Sequence, residues 1–143
     1  MTKDKINILI PDFSFYREIF LNKDLAKLGD NFVNFIYSLA RTISAEEVSG
    51  QKVAGKVLKK AIKNSNLSEF LPSRMTAHDM ADAVEALIVY TWLKEKLTLN
   101  EMIEILTREM ELCNFKRRRT EFNYATVAFT KLLNEIEKRN VFK

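Results

Sequence analysis

The scarcity of helix-breaking residues constrains this chain more than any other feature. Only three glycines and two prolines occur in 143 residues, and both residue types disfavour helix interiors. Apolar residues recur every three or four positions through most of the sequence, the spacing that places them on one helix face. We therefore predict an all-α protein without strands or internal repeats. Its length is that of a single domain spanning residues 1–143.

Periodicity and capping motifs predict where the helices begin and end. An apolar face over residues 23–43 indicates the first long helix. Ser or Thr followed three positions later by Asp or Glu is the capping-box pattern, and it predicts helix starts at Ser44, Thr76 and Thr98. The three helices are expected to end near Asn64, Lys96 and Leu112, with a loop over residues 67–74. We also predict a C-terminal helix over about residues 120–139, and another helix before Lys23 that begins near Pro11 or Asp12.

Composition excludes several classes of protein. Apolar residues make up 47% of the chain and charged residues 29%, a balance that favours a folded core over disorder. The longest apolar stretch, residues 86–90, is too short to span a membrane, and the N-terminus is too polar for a secretory signal, so we expect a cytoplasmic protein without a membrane partner. A single histidine, His78, excludes a paired-histidine site, and a single cysteine, Cys113, excludes an internal disulfide. Any chemistry must therefore depend on carboxylates, hydroxyls or lysines.

Three acidic residues stand at unusual positions for solvated helix surfaces. Asp30 follows Gly29 inside the first long helix, and a glycine there indicates close approach by another helix or a ligand. Asp82 and Glu85 are three residues apart, so they share a helix face, and apolar residues surround them. A carboxylate in such surroundings needs a compensating positive charge. A lysine, an arginine or a Mg²⁺ ion could supply that charge.

Two motifs carry a resemblance to a known family. The stretch LAKLGDNFV at residues 25–33 resembles the signature of the ribonuclease III catalytic domain, and ADAVEALI at residues 81–88 resembles its second motif. Between them, EVSGQKV at residues 47–53 looks like the family's intervening segment. Asp30 and Asp82 lie 52 positions apart, close to the family's spacing, and the resembling region covers about residues 23–106.

The resemblance implies an all-helical, homodimeric endonuclease that hydrolyses double-stranded or structured RNA during RNA processing. By motif position, Asp30, Asp82 and Glu85 would be the catalytic Mg²⁺ ligands, with Mn²⁺ as a substitute. The metal would activate a water and stabilise the departing oxygen. His78 and Glu47 are candidates to orient these ligands without binding the metal. Large apolar residues of the signature helix are candidates for the dimer interface: Phe32, Phe35, Ile36 and Leu39.

The chain departs from the family signature at three positions. Ala26 stands where the family usually has a glutamate, Lys23 replaces another acid, and Lys27 replaces an aromatic that anchors the partner subunit in many members. The compact Mini-III subfamily, which lacks a double-stranded-RNA-binding domain, is similar in having alanine at the first of these positions. The departures leave an alternative open, a non-catalytic RNA-binding or scaffold protein that keeps the fold. A helical adaptor with neither RNA nor metal is a third reading.

Basic residues form two candidate RNA-binding surfaces. The net charge is +4, and the last thirty residues hold eight basic residues against three glutamates. The first surface comprises Lys52, Lys56, Lys59 and Lys63, whose spacing predicts one helix face. The second is the run at residues 116–119, in which Arg117 and Arg118 are the candidates. Such residues suit an A-form duplex, which proteins recognise by shape and phosphates. The alternative for the lysines is an ordinary solvated helix face, and for the run at residues 116–119 it is favourable termination of the preceding helix by positive charge.

Overall fold

Helices alone build the fold over residues 2–143, the part that the computed structural model describes, with side chains from residue 4 onward. The absence of strands in this part confirms the all-α prediction. The helices are α1 (Thr2–Leu9), α2 (Tyr16–Phe20), α3 (Lys23–Ala45), α4 (Gly55–Asn64), α5 (Ala77–Leu93), α6 (Leu99–Met110) and α7 (Arg118–Arg139), with a short 3₁₀ helix at Ser68–Phe70. Within the same residues, no helix combines the length and apolar character that crossing a membrane requires.

Helix α5 lies at the centre of the molecule. Its residues 83–91 are all buried, as expected of a helix that is apolar on every side. Helix α3 packs along α5, α4 packs against α5 and α7, and α6 lies against α3 and α7. The fully buried core includes Ile36, Leu58, Leu87, Leu106 and Phe129, one from each of the five long helices. A carboxylate in the middle of α5 therefore enters the protein interior.

Capping side chains fix the starts of the helices that carry the acids. The Asn22 side-chain oxygen accepts a hydrogen bond from the Leu25 amide at 2.9 Å and caps α3. The Thr76 hydroxyl accepts from the Asp79 amide at 3.0 Å, and α5 begins at the next residue. The predicted start at Thr98 is confirmed in the same way for α6.

The predicted helix start at Ser44 is wrong. Helix α3 continues through Ala45 and ends where Glu46 takes a left-handed conformation, with φ of 55°. The Ser44 hydroxyl is buried and has no hydrogen-bond partner among the described residues, so it caps nothing. Residues 46–54 are not helical, and α4 begins only at Gly55.

Polar side chains of α3 hold the non-helical segment 46–54. They bond its backbone amides or carbonyls at 2.8 to 3.1 Å, in the pairs Ser38 with Gln51, Thr42 with Ser49, and Asn34 with Val53. Because these bonds satisfy backbone groups that a helix would otherwise pair, the segment is stable without helix formation. Lys52 therefore lies on this segment, and the predicted helix face that it shares with Lys56, Lys59 and Lys63 is wrong for Lys52.

The N-terminal region also differs from the prediction. Two short helices, α1 and α2, replace the single helix expected to begin near Pro11 or Asp12, and residues 11–15 between them are not helical. Proline disfavours a helical conformation in the residue before it, which is consistent with the end of α1 at Leu9. Helix α2 contributes the fully buried Ile19 and Phe20 to the core.

Candidate active site

Helices α3 and α5 cross with their backbones in contact. A methyl group on Gly29 would lie far inside van der Waals distance of the backbone carbonyl of Glu85. Only glycine permits this approach, which accounts for a residue that costs about 1 kcal/mol relative to alanine within a helix. The crossing brings Asp30, the next residue on α3, beside Glu85 on α5.

The three predicted metal ligands line one groove. The groove, of about 790 Å³, lies between α3, α5 and the start of α4, and Asp30, Asp82 and Glu85 all border it. Its wall also contains the buried, apolar Ala26. Among the described residues, however, no three His, Cys, Asp or Glu side chains form a ready-made metal site. The fold thus gathers the acids without assembling them as a finished coordination sphere.

Asp30 and Glu85 form a carboxyl pair inside the groove. Glu85 is only 8% exposed, and this burial, assisted by a hydrogen bond to Asp30 and by the charges of Asp30 and Asp82, raises the pKa of Glu85 to about 8. Lys52 acts weakly in the opposite direction. Asp30 Oδ1 accepts a hydrogen bond from Asn34 Nδ2 at 3.1 Å. At neutral pH the pair therefore retains a proton, because two adjacent carboxyl groups resist losing both.

Asp82 has a different environment from this pair. Its Oδ2 accepts a hydrogen bond from the Lys23 ammonium at 3.0 Å and lies 3.4 Å from His78 Nε2. The same ammonium donates to Asp79 Oδ1 at 2.9 Å and holds the pKa of Asp79 down at about 2. The negative charge of Asp82 is thus already compensated from one side. His78 touches the carboxylate that it was predicted to orient, whereas the exposed Glu47 does not border the groove.

The donor set of the groove fits a hard divalent cation. Carboxylate oxygens are the ligands that Mg²⁺ and Mn²⁺ prefer. Within residues 4–143, neither Asp30 nor Glu85 forms an ion pair with a basic side chain. The proton that the pair retains at neutral pH therefore neutralises only part of its negative charge. A cation that replaces this proton would neutralise the rest of that charge. Asp82 could offer both of its oxygens to the same cation only by exchanging the contact of Oδ2 with Lys23.

A basic cleft of about 540 Å³ adjoins the acidic groove. Lys52 borders both cavities, together with Val53 and Ala54. The two predicted basic surfaces meet here, because Lys56 and Arg118 also line the cleft. Arg119, the last residue of the predicted basic run at residues 116–119, lines it as well. Of the other candidates, Lys59, Lys63 and Arg117 do not line the cleft.

A polar network fixes the start of α7 against α3. Arg41 binds both carboxylate oxygens of Glu121 at 3.0 and 3.1 Å, Tyr37 donates its hydroxyl to the same carboxylate, and Arg41 also reaches the Ser49 hydroxyl at 3.0 Å. Burial acts to raise the pKa of Glu121, but the bonds from Arg41 and Tyr37 outweigh it and the pKa is lowered. Through this network the arginines at the start of α7 are held beside segment 46–54. No motif in the sequence marks Glu121 for this position.

Helix α3 also exposes a row of large apolar side chains. Leu28, Phe35 and Ile43 are 45%, 52% and 54% exposed. Among the predicted interface residues, Phe35 is therefore accessible, whereas Ile36 is fully buried in the core and Phe32 is half-buried with its ring 5.1 Å from that of Trp92. Ile36 is thus excluded from any partner contact.

Comparison with known families supports the resemblance of the two motifs. The family model described as ribonuclease III matches residues 23–141 of the 143-residue chain. No individual curated protein matches this chain. The matched region contains α3 to α7 and therefore both the acidic groove and the basic cleft. The chain belongs to the ribonuclease III family.

Proposed function

We propose that this protein is a divalent-metal-dependent endoribonuclease that hydrolyses double-stranded or structured RNA. The observation that supports it most directly is the continuity of the acidic groove with the basic cleft through Lys52. The groove offers oxygen ligands for a metal, and the cleft offers cations for phosphates. An RNA backbone that follows the cleft would place a phosphodiester at the acids.

The proposed chemistry divides between the two cavities. When bound, a Mg²⁺ or Mn²⁺ ion would supply Lewis-acid activation of a water and stabilisation of the leaving oxygen. Asp30 and Glu85 would hold the cation after giving up their shared proton, and Asp82, which shares a helix face with Glu85, borders the same groove. Lys52, at the junction of the cavities, binds a phosphate beside the scissile one. Lys56, Arg118 and Arg119 neutralise phosphates further along the strand, which gives affinity without sequence preference.

The active form in this proposal is a homodimer. The exposed apolar residues Leu28, Phe35 and Ile43 stand on α3, the helix that carries Asp30. An exposed row of this kind is a typical protein-interaction surface. A second copy seated on it would double the number of acidic grooves available to one RNA duplex.

Two contacts favour a second candidate function, RNA binding without cleavage. Lys23 already neutralises Asp82, and the buried Ala26 presents a methyl group to the groove at the position where the resembling motif implies a further carboxylate. Both features weaken the attraction of the groove for a metal. A protein of this kind would still bind duplex RNA through the basic cleft.

The two candidates predict different results with a long RNA duplex. An endonuclease should cut it with Mg²⁺ or Mn²⁺ and not with chelator, and Glu85→Gln or Asp82→Asn should lower cleavage by about a hundredfold or more, since even residues behind a metal ligand contribute tenfold to a hundredfold. Glu104→Gln, which removes an exposed carboxylate from α6, is the matched control. Duplex binding that persists without any metal-dependent cleavage would support the second candidate instead.

A further inference from the structure

The Lys23 ammonium lies between two acids of α5. It is 2.9 Å from Asp79 Oδ1 and 3.0 Å from Asp82 Oδ2, and its side chain is about half exposed. Lys23 and Asp82 both border the acidic groove, on which the proposed function depends. The Lys23 ammonium thus lies at the wall of the same cavity that is proposed to bind a divalent metal ion.

The position of Lys23 in its own helix argues that the contact with α5 is what holds it in place. Lys23 is the first residue of α3, and a positive charge at a helix N-terminus is unfavourable because the helix dipole is positive there. The cap of α3 is supplied by Asn22 and makes no use of Lys23. Asp79 meanwhile accepts a hydrogen bond from the Thr76 amide at 3.2 Å. The ammonium therefore finds its favourable partners only across the helix crossing.

We infer that Lys23 is a built-in competitor of the divalent cation for Asp82. This inference rests on the proposed function. One oxygen of Asp82 is bound to Lys23, and Asp30 and Glu85 face the groove without a basic partner in residues 4–143. A cation would therefore bind first to Asp30 and Glu85, and it would gain the full charge of Asp82, including Oδ2, when the half-exposed Lys23 side chain is displaced into solvent. Lys23 thereby sets the metal concentration at which the site fills.

Removal of the competitor should strengthen metal binding. Lys23→Met keeps the length of the side chain but removes the ammonium from Asp82, which retains its neighbour His78 at 3.4 Å. We expect the Mg²⁺ dissociation constant to fall about tenfold, the effect of one nearby unit charge on a divalent ion in a largely hydrated groove. Lys23→Arg keeps the positive charge and should bind Mg²⁺ as the natural chain does. Isothermal titration calorimetry with Mg²⁺ and electron paramagnetic resonance of free Mn²⁺ measure this without any cleavage assay.

Lys27→Met is the matched control. Lys27 lies on the same helix, one turn further along, and borders the same groove, but its side chain makes no ion pair with an acid in the described residues. Lys27→Met lowers the net charge by the same amount as Lys23→Met. Any change in its Mg²⁺ Kd therefore measures the long-range electrostatic effect of one positive charge beside the groove. We expect that change to be less than about threefold, because charges without direct contact are screened by salt.

Each result decides the question. A Lys23→Met protein that binds Mg²⁺ and Mn²⁺ more tightly than Lys27→Met supports the competitor role. Equal gains in both variants, no gain, or weaker binding in Lys23→Met would overturn it while leaving the metal site of the proposed function intact. If neither the natural chain nor Lys23→Met binds Mn²⁺, the inference and the metal-dependent function both fail. Circular dichroism checks the fold, which a half-exposed ion pair supports only slightly.

Discussion

Gly29 sets the distance between the two helices that carry the acids. Its missing side chain lets the α3 backbone touch the carbonyl of Glu85, and no flexible side chain stands there that could move aside. A change at this residue therefore acts on the whole crossing and not on one contact.

Gly29→Ala should destabilise the protein strongly. The added methyl group would push α3 away from α5, and we expect a loss of about 3 kcal/mol or more in the free energy of unfolding, at the upper end for overpacking. Urea denaturation followed by circular dichroism measures it. Gly50→Ala is the control, because no atom lies within 4 Å of the added carbon, and it should change stability by less than about 0.5 kcal/mol. Similar stabilities of the two variants would contradict the backbone contact.

Glu85 couples the stability of the metal-free protein to pH. Because burial raises its pKa to about 8, the folded state keeps a proton that the unfolded state has lost above about pH 4.5. The folded protein thus binds more protons than the unfolded one, and its stability falls as pH rises from about 5 to 8, by at most about 1.4 kcal/mol per pH unit.

Glu85→Gln should flatten this slope. Glutamine has nearly the same shape and no proton to lose, so the unfolding free energy measured with chelator at pH 5.5, 6.5 and 7.5 should vary less than in the natural chain. Glu104→Gln, at an exposed position on α6, should leave the slope as it is. An unchanged slope in Glu85→Gln would show that Glu85 is ionised in the fold.

At the scale of helices, the sequence predicts those elements whose signals are local. Thr76 and Thr98 cap the helices that they were expected to begin, because each needs only the acid three residues later. Ser44 has the same local pattern and fails, because its backbone belongs to α3 and because the following segment is bound by α3 side chains 7 to 19 residues before their partners in the sequence. Such bonds form only when the tertiary structure brings α3 and segment 46–54 together, and a local capping pattern carries no information about that contact.

The site shows the same division between local and distant signals. The acids are predictable since each stands in a motif that resembles a family signature. The partners Asn34 and Lys23 were not, because Asn34 bridges Asp30 and the Val53 amide across 19 residues, and Lys23 reaches Asp82 across 59. The role of Lys23 follows from the crossing of α3 and α5, and that of Asn34 from the packing of segment 46–54 on α3, so neither can be read from one helix alone.

The attachment of α7 to α3 depends on Glu121. Its carboxylate is only 12% exposed and binds both Arg41 and Tyr37. Glu121→Gln would leave the Arg41 guanidinium poorly paired, so we expect a loss of about 2–3 kcal/mol in unfolding free energy.

A double-mutant cycle tests whether this loss comes from the pair. Arg41→Met removes the unpaired charge, and the double variant should be more stable than the sum of the two single losses predicts, by about 1–3 kcal/mol. The exposed pair Arg108–Glu104 on α6 is the control, with coupling near 0.5 kcal/mol or less. Additive losses at Arg41 and Glu121 would mean that this ion pair does not contribute to holding α7 against α3.

For the whole molecule, the arrangement of charge matters more than its amount. A net charge of +4 is modest, yet basic residues from segment 46–54, α4 and α7 line one cleft beside the groove that gathers Asp30, Asp82 and Glu85. They are Lys52, Lys56, Arg118 and Arg119. Three parts of the chain that are distant in sequence thus contribute to one continuous track. Leu28, Phe35 and Ile43 line neither the acidic groove nor the basic cleft. Phe35 does share a further pocket with Lys52, so a partner copy seated on this row would lie directly beside the proposed RNA-binding cleft.

Phe35 provides the test of the proposed dimer. A stable dimer interface buries about 800 Å² on each partner around an apolar centre, and Phe35, 52% exposed at the middle of α3, is suited to that centre. Phe35→Glu should therefore shift the protein to monomer in sedimentation velocity experiments over a range of concentrations, while circular dichroism stays unchanged. Leu112→Glu alters a residue that is more exposed, at 68%, but lies beyond the end of α6, and it should leave the dimer intact. A natural chain that sediments as a monomer throughout, or a Phe35→Glu variant that remains dimeric, would exclude this face as the interface.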